Sequence, residues 1–450
     1  MANPLAQVSA SPEPHGRADA RPSQLRWINV AGLGIAFAVS GSFSGWNVGL
    51  GLGGWGGMLI AAVVMACFYL GLTQCIAELA AACPGGVQGM DSLAGMGLGD
   101  AGRFFAGISI AIAVGGAVGA GATFIEAYSQ SVFGLGGTWL KLALIAGVIG
   151  IQLRGAREAV SLTMAGGFVS VAVLAVFCAS LAPDLSWQAL HSMKSGTPSL
   201  LPNGIAGALQ CIPYALFMFL GVEQAANAAG DMHQPARSLP KAIFAAVATI
   251  LLVGVAVLVA SAAGGVDRVA AADGDPLYVA ITGAKGAGTQ RWLETAVGAG
   301  SVLALLSTVF SLAYASSAQF RSLAEGGLLP PILGRVNTRG APSHALVAVA
   351  ALAWAGTLVD ANTVLVCFIF GLGVCNVLVL ISFLLARRRL AGLSRPYRAI
   401  GGEPAAWVTL VLAVAVLAAC VQLQPMALAY VLLAYSVLAV FFLLSRKRLS

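Results

Sequence analysis

One carboxylate in this sequence stands where a charge is hardest to keep. Glu223 ends an uncharged run that begins at Ser195, and Pro213, Tyr214, Phe219, Leu220 and Gly221 lie within the ten residues before it. A carboxylate deep in an apolar segment is costly and usually functional. It could neutralise a substrate ammonium, carry a proton, or pair with a buried partner. A second cluster, Ser40-Gly41-Ser42-Phe43-Ser44-Gly45-Trp46-Asn47, sets small polar residues and two glycines inside another uncharged run. Such a stretch would bare backbone N–H and C=O groups, and the amides suit a substrate hydroxyl or carboxylate. Ser307, Thr308, Ser311, Ser316 and Ser317 recur on one helical face. Their hydroxyls could join freed carbonyls around a sodium ion, or simply bond to their own helix. The aromatics near the two clusters, Phe43, Trp46, Tyr214, Phe217 and Phe219, could close over a cationic amine or serve as packing residues.

The remaining chemistry-bearing residues form no site. The four histidines (His15, His191, His233, His344) fall between apolar runs, and the eight cysteines contain no CxxC pair. No metal spacing results, no cofactor is expected, and the cysteines read as buried thiols.

The elements that position these groups must be membrane helices. Of 450 residues, 24 are basic and 17 acidic, 9% in all, while 59% are hydrophobic and the mean hydropathy is +0.89. Soluble domains carry about 25% charged residues. The composition therefore excludes a secreted disulfide scaffold, a nucleic-acid binder and a disordered chain. Fifty-six glycines suit closely packed membrane helices.

Charge-free stretches of bilayer length are read as spans. Trp27 to Ala77 holds two, divided by the Gly-rich segment Gly49 to Gly57; others run over Phe104–Ile125, Ala159–Pro183, Ser195–Val222, Ala242–Val266, Thr295–Phe320, Gly340–Val359 and Ala361–Ala386. Pro404 to Ser445 holds two more, turning at Gln424-Pro425, and Gly136 to Leu153 spans if Lys141 snorkels. The expected fold is an all-α polytopic membrane protein of about twelve transmembrane helices.

Nineteen lysines and arginines fall on the side of the N-terminus and five (Lys141, Lys194, Arg268, Lys285, Arg291) on the other, which predicts both termini in the cytoplasm. Residues 1–26 read as a disordered cytoplasmic tail without a signal peptide, and 446–450 as a basic tail. Glu78 and Glu126 fall near opposite membrane faces and are expected at the surface, as is Asp360. The Ser40–Asn47 and Phe219–Glu223 clusters fall at similar depth in the first and sixth spans, corresponding members of two five-helix halves. Interrupted helices in corresponding positions point to a transporter site.

Gly221-Val222-Glu223, followed by Asp231, Pro235, Arg237 and Pro240, resembles the sixth span and following loop of the amino acid–polyamine–organocation permeases. Glu78-Leu79 with Pro84-Gly85-Gly86, Arg154-Gly155, Arg321 with Leu323-Ala324, Gly327 and Leu329-Pro330, and Arg395-Pro396-Tyr397-Arg398 agree in order. Within that superfamily, Val39 to Asn47 with Gly49-Leu50 and Gly53-Gly54-x-Gly56-Gly57 is similar to the first span of ethanolamine permeases. Ile212-Pro213-Tyr214 through Glu223-x-Ala225-Ala226-Asn227 is similar to their sixth. The early third-span acid of that pattern is absent here, where the chain reads Gly107 to Ala113, and Gly85-Gly86-Val87-Gln88 and Gly230-Asp231 also depart from it.

The resemblance implies a five-plus-five inverted repeat, residues 27–183 and 204–386, with two C-terminal helices over 404–445. It implies a secondary transporter in the cell (inner or plasma) membrane. The implied activity is uptake of a small amine or amino acid, ethanolamine-like substrates favoured, by alternating access coupled to H+ or Na+. The substrate residues expected are Ser40 to Asn47, Tyr214, Phe219, Leu220, Gly221 and Glu223, with Trp46 and Phe219 as gates. Coupling-ion candidates are Glu223, Ser307, Thr308 and Ser311. The partners are the substrate, the ion and membrane lipids, with no nucleic acid. An amino acid permease, an amine exchanger, or a transporter-like sensor or channel are the alternatives; an enzyme is not expected, since no catalytic constellation lies at a common depth.

Overall fold

A computed structural model describes residues 27–82, 89–154, 156–192, 198–223, 235–390, 392 and 394–447. The expected tail 1–26, Cys83, Pro84 to Gln88, Gly155, Lys194, Ala225 to Asn227, Gly230-Asp231 and residues 448–450 lie outside the described residues, as does the side chain of Ser40.

Among the described residues the regular structure is helical, apart from one isolated bridge between Ser192 and Ser199. In chain order they form α1 (Trp27–Ala38), α2 (Trp46–Ala82), α3 (Met90–Phe133), α4 (Thr138–Gln152), α5 (Ala156–Leu181), α6 (Gly204–Gln210), α7 (Ile212–Met218) and α8 (Pro235–Ala262). Then follow α9 (Val266–Ala270), α10 (Pro276–Lys285), α11 (Arg291–Glu325), α12 (Ser343–Thr357), α13 (Ala361–Arg389), α14 (Gly402–Leu423) and α15 (Pro425–Lys447). Seven of these, α2, α3, α5, α8, α11, α13 and α14, are long and apolar enough to cross a bilayer. Helices α4, α12 and α15 include shorter apolar stretches over the expected fourth, ninth and twelfth spans. The expected first and sixth spans are the interrupted ones: α1 and α2 are separated by a 3-10 turn over Val39–Ser42 and the bend Phe43–Gly45, and α6 and α7 meet at Cys211.

Helix α2 contains the divide expected between the first two spans. Gly54 (φ 70°) interrupts it, a conformation that side chains with a Cβ rarely adopt. The third span is longer than its charge-free run, because α3 begins at Met90 and turns at Gly99 before running on to Phe133.

The long α3 is the centre of the packing and lies against α11, α12 and α13. Helix α11 also packs on α5, α1 on α8, and α2 on α6, α7 and α8. The 3-10 turn Val39–Ser42 touches α5, α7, α8 and α11, so the first break sits among four helices. Trp46, Tyr69, Tyr128 and Tyr214 are among the largest fully buried side chains, and all four belong to segments around the two breaks. Cys67 departs from the expected burial and lies exposed.

Glu78 also departs from its expected surface position. It is near the end of α2 but 1% exposed, beneath the 394–401 segment. Arg387 grips both its oxygens (2.9 and 2.6 Å), Arg395 approaches to 3.4 Å, and the Ala399 N–H donates to it at 2.7 Å. Its partners lie more than 300 residues along the chain, where span counting has no view of them. Asp91 makes a second buried knot, accepting from Arg103 (3.1 Å) and Ser322 (2.9 Å). Glu126 is half-buried and accepts from the Gly137 N–H at 2.8 Å, and Asp360 is exposed and caps α13 through Thr363.

Removing one partner of a buried ion pair strands the others and costs about 3–5 kcal/mol, whereas an exposed pair is worth about 0–1 kcal/mol. Glu78→Ala should therefore lower the thermal midpoint of purified protein clearly more than Glu325→Ala, which breaks the exposed Arg321–Glu325 pair. Equal midpoints in a melting experiment would contradict the clamp.

Candidate functional site

The first break is built from residues that cannot continue a helix together. Ser42, Phe43, Ser44, Gly45, Trp46 and Asn47 are all buried, and Gly45 has φ 88°. Buried carbonyls released by the break need donors. The Trp46 indole N–H donates to the Ser42 carbonyl at 2.9 Å, and the Tyr128 hydroxyl from α3 donates to the Phe43 carbonyl at 2.7 Å.

The second break begins where α7 ends. From Leu216 to Val222 the backbone closes i to i+3 bonds, and Gly221 takes φ 98°. Glu223 is 6% exposed, and its Oε2 accepts from the Gly221 N–H at 3.0 Å. Phe219 stacks on Tyr69 of α2 with centroids 5.6 Å apart. The Tyr69 hydroxyl is buried and has no partner among the described residues, and it lies in electrostatic range of Glu223.

The two breaks touch. A methyl group added at Gly41 would stand 2.5 Å from the Phe217 carbonyl oxygen and 3.0 Å from the Met218 Cα. The contact continues at four-residue spacing: Gly45 lies on the Phe217 ring, Gly49 on Tyr214, Gly53 on Cys211 and Gly207, and Gly57 on Ala208. Residues 41 to 57 thus run against 218 to 207 in the opposite direction, and the small residues let the backbones approach. The Cys211 thiol bonds the Gly49 carbonyl at 3.1 Å along this seam.

Beside the seam lies a small crevice, lined by Ala117, Ala120, Gly121 and Phe124 of α3, Phe217 of α7, Leu305, Thr308 and Leu312 of α11, and Leu365 of α13. Thr308 is its only polar lining side chain. Phe217 and Leu365 are also the neighbours of Gly45, so the crevice adjoins the first break.

A family model described as amino acid permease matches residues 26–444. The chain belongs to the amino acid permease family. It is accordingly an integral, multi-pass membrane protein of the amino acid–polyamine–organocation superfamily. Similar curated proteins carry transporter descriptions. An uncharacterized transporter of Rhizobium meliloti (strain 1021) is 25% identical over 263 residues, 54% of this chain and 53% of that protein. Uncharacterized transporters of Mycobacterium tuberculosis (H37Rv) and Mycobacterium bovis are each 30% identical over 141 residues, 31% of this chain and 28% of theirs. The chain thus spans about half the length of the first relative and under a third of the other two.

In the permease, most residues singled out from sequence surround the seam, with different partners. Ser44 and Asn47 bond outward, to the carbonyls of Gly274 (2.7 Å) and Ala272 (2.9 Å). Tyr214 sits one to two turns from the second break, its hydroxyl donating to Asn362 at 2.7 Å. Ser307, Thr308 and Ser311 each donate to a carbonyl of their own helix, the plainer of the two readings, while Ser316 reaches Ala111 of α3. Phe217 lines the crevice and Leu220 is half-buried. Tyr69, Tyr128 and Asn362 were missed. Each is a lone polar group in or beside an apolar run, and only the fold reveals its partner.

Because backbone rather than a flexible side chain faces Gly41, Gly41→Ala should push the breaks apart and reduce transport at least about tenfold. Gly116→Ala, which meets nothing within 4 Å, should leave it near wild type. Uptake into proteoliposomes checks the pair, and full activity of Gly41→Ala would contradict the contact.

Proposed function

We propose that this permease imports a small amine or amino acid, ethanolamine-like substrates favoured, by alternating access coupled to H+ or Na+. The observation that carries the reading is the contact of Gly41 with the Phe217–Met218 backbone, which joins two helix interruptions and sets Glu223 at the end of the second. Amides around Gly41 to Gly45 would hold the hydroxyl or carboxylate of the substrate, as a half-helix N-terminus favours negative charge. Carbonyls near Phe219 to Gly221, with Glu223, would receive its ammonium. The crevice would take uncharged carbon atoms, since burying an unpaired charge there is costly. Its mostly apolar lining favours, as a second reading, an amino acid with an apolar side chain.

The packing supports a five-plus-five inverted repeat over 27–183 and 204–386, with all twelve segments crossing. Exchanging each span with the one five later turns the α1–α8 contact into that of α7 with α2. It turns the α11–α5 contact into that of α3 with α13, and returns the α3–α11 contact to itself. The basic-residue asymmetry supports cytoplasmic termini in the cell membrane, which sets the 263–290 segment outside. Glu223 is the candidate proton carrier, and Thr308, in the crevice beside the first break, is the better placed of the sodium candidates.

The test is accumulation of labelled ethanolamine, short amines and amino acids in proteoliposomes under proton or sodium gradients. One gradient should drive accumulation, and Glu223→Gln should abolish it while the variant remains folded by size exclusion. Concentrative uptake by Glu223→Gln at the wild-type level would remove that residue's role. Binding without accumulation would overturn the transport reading in favour of a sensor.

A further inference from the structure

The turn between α13 and α14 gathers five arginines, Arg387, Arg388, Arg389, Arg395 and Arg398, around two acids, Glu403 and the Glu78 that α2 brings to it. Both acids are already taken. Glu78 is shared by Arg387 and Arg395, and Glu403 accepts from Arg388 at 3.2 Å. Arg389 and Arg398 are exposed and have no acidic partner among the described residues. Five arginines against two carboxylates leave three positive charges in excess, two of them on the surface of the turn.

The chain folds back tightly enough to keep these charges together. Arg395 Nη2 donates to the Ala386 (3.0 Å) and Leu390 (3.2 Å) carbonyls at the end of α13, and a Cβ at Gly402 would stand 2.9 Å from Arg387 Nη1. Helix α14 starts at Gly402 without a side-chain cap, which adds the positive end of its dipole to the same turn. Beside it the surface is apolar. Ile400, Trp407, Val408, Val411 and Val414 are exposed, the last four at the three- and four-residue spacing of one face of α14. On a helix that crosses a bilayer, such a stripe faces lipid, and a tryptophan within two turns of the helix start marks the headgroup level. The arginines therefore stand at the depth of lipid phosphates, at the head of a path for acyl chains.

We propose that the α13–α14 turn is a binding site for an anionic phospholipid, its phosphate held by Arg389, Arg398 and the N-terminus of α14 and its acyl chains lying along Trp407, Val408 and Val411. The phosphate supplies the negative charge that the turn lacks, and guanidinium groups bind phosphate oxygens in pairs. Basic groups beside membrane helices favour anionic headgroups, whereas a zwitterionic one brings its own ammonium to the excess of arginines. The lipid covers the exposed side of the turn whose buried side clamps Glu78, so the seating of α2 is coupled to lipid composition. The inference holds whichever solute the permease carries.

Fluorescence quenching tests it without substrate or transport. The Trp407 signal, taken as the difference between the parent protein and Trp407→Phe, is followed in phosphatidylcholine nanodiscs as acyl-brominated phosphatidylglycerol or acyl-brominated phosphatidylcholine is titrated in. Phosphatidylglycerol should quench Trp407 at about thirtyfold lower mole fraction, the effect of two arginines beside a headgroup. In Arg389→Gln/Arg398→Gln the two lipids should quench alike. Arg335→Gln/Arg339→Gln, which removes two exposed arginines from the connection between α11 and α12, should keep the preference. Inorganic phosphate, compared with chloride at equal ionic strength, should leave the bound lipid in place. Equal quenching by both lipids in the parent protein, a preference that survives Arg389→Gln/Arg398→Gln, or its equal loss in Arg335→Gln/Arg339→Gln would overturn the site. Displacement by inorganic phosphate would overturn the lipid as its occupant.

Discussion

The carbonyl of Phe43 lies where the helix that should satisfy it has stopped, in a part of the molecule where water is scarce. Away from water every such group needs an internal partner, and much of the site follows from how that need is met. Trp46 turns its indole back onto Ser42, and Tyr128 reaches across from α3 to Phe43. On the other side of the seam, Glu223 turns back on the Gly221 N–H. The breaks are therefore not loose chain. They are conformations held by named internal partners, which under the proposed function a ligand would replace.

The glycines make that exchange local. Gly41, Gly53 and Gly57 bring one interrupted span so close to the other that backbone atoms of the second stand against the first. Under the proposed function, a site made in this way would read small polar heads with amides and carbonyls. Selectivity for the rest of the substrate would then fall to the crevice wall of Ala117, Ala120, Gly121 and the leucines around Thr308. At the far end of the helices, Glu78 joins α2 to Arg387 of α13 and to Arg395 beyond it, and Asp91 joins Arg103 across the turn within α3. Those knots hold the frame against which the seam is set.

Much of this was legible in the sequence, because the bilayer writes strongly on composition. Charge-free runs located the helices, glycines accompanied by serines marked the break at Ser40–Asn47, and Pro213 with Gly221 and Glu223 marked the one at Phe219–Glu223. What could not be read were partnerships at long range. Glu78 looks like a surface acid because its burial depends on Arg387 and Ala399, over 300 residues away. Tyr128 looks like any aromatic in an apolar helix, since neither Phe43 nor Leu277 is near it in the chain. The hydroxyls of Ser307, Thr308 and Ser311 fit both an ion site and their own helix by spacing alone. The fold adds that Thr308 faces the crevice while Ser307 meets Gly166 of α5.

The central claim, that two helix breaks meet to form one binding site, is tested most directly by an electron cryomicroscopy map of the permease in nanodiscs with a saturating transported amine or amino acid. The account predicts ligand density between Gly41–Gly45 and Phe217–Gly221, its ammonium toward Phe219–Glu223 and its carbon part toward Ala120 and Thr308. Density bound elsewhere, with the backbone of both breaks left untouched, would contradict it.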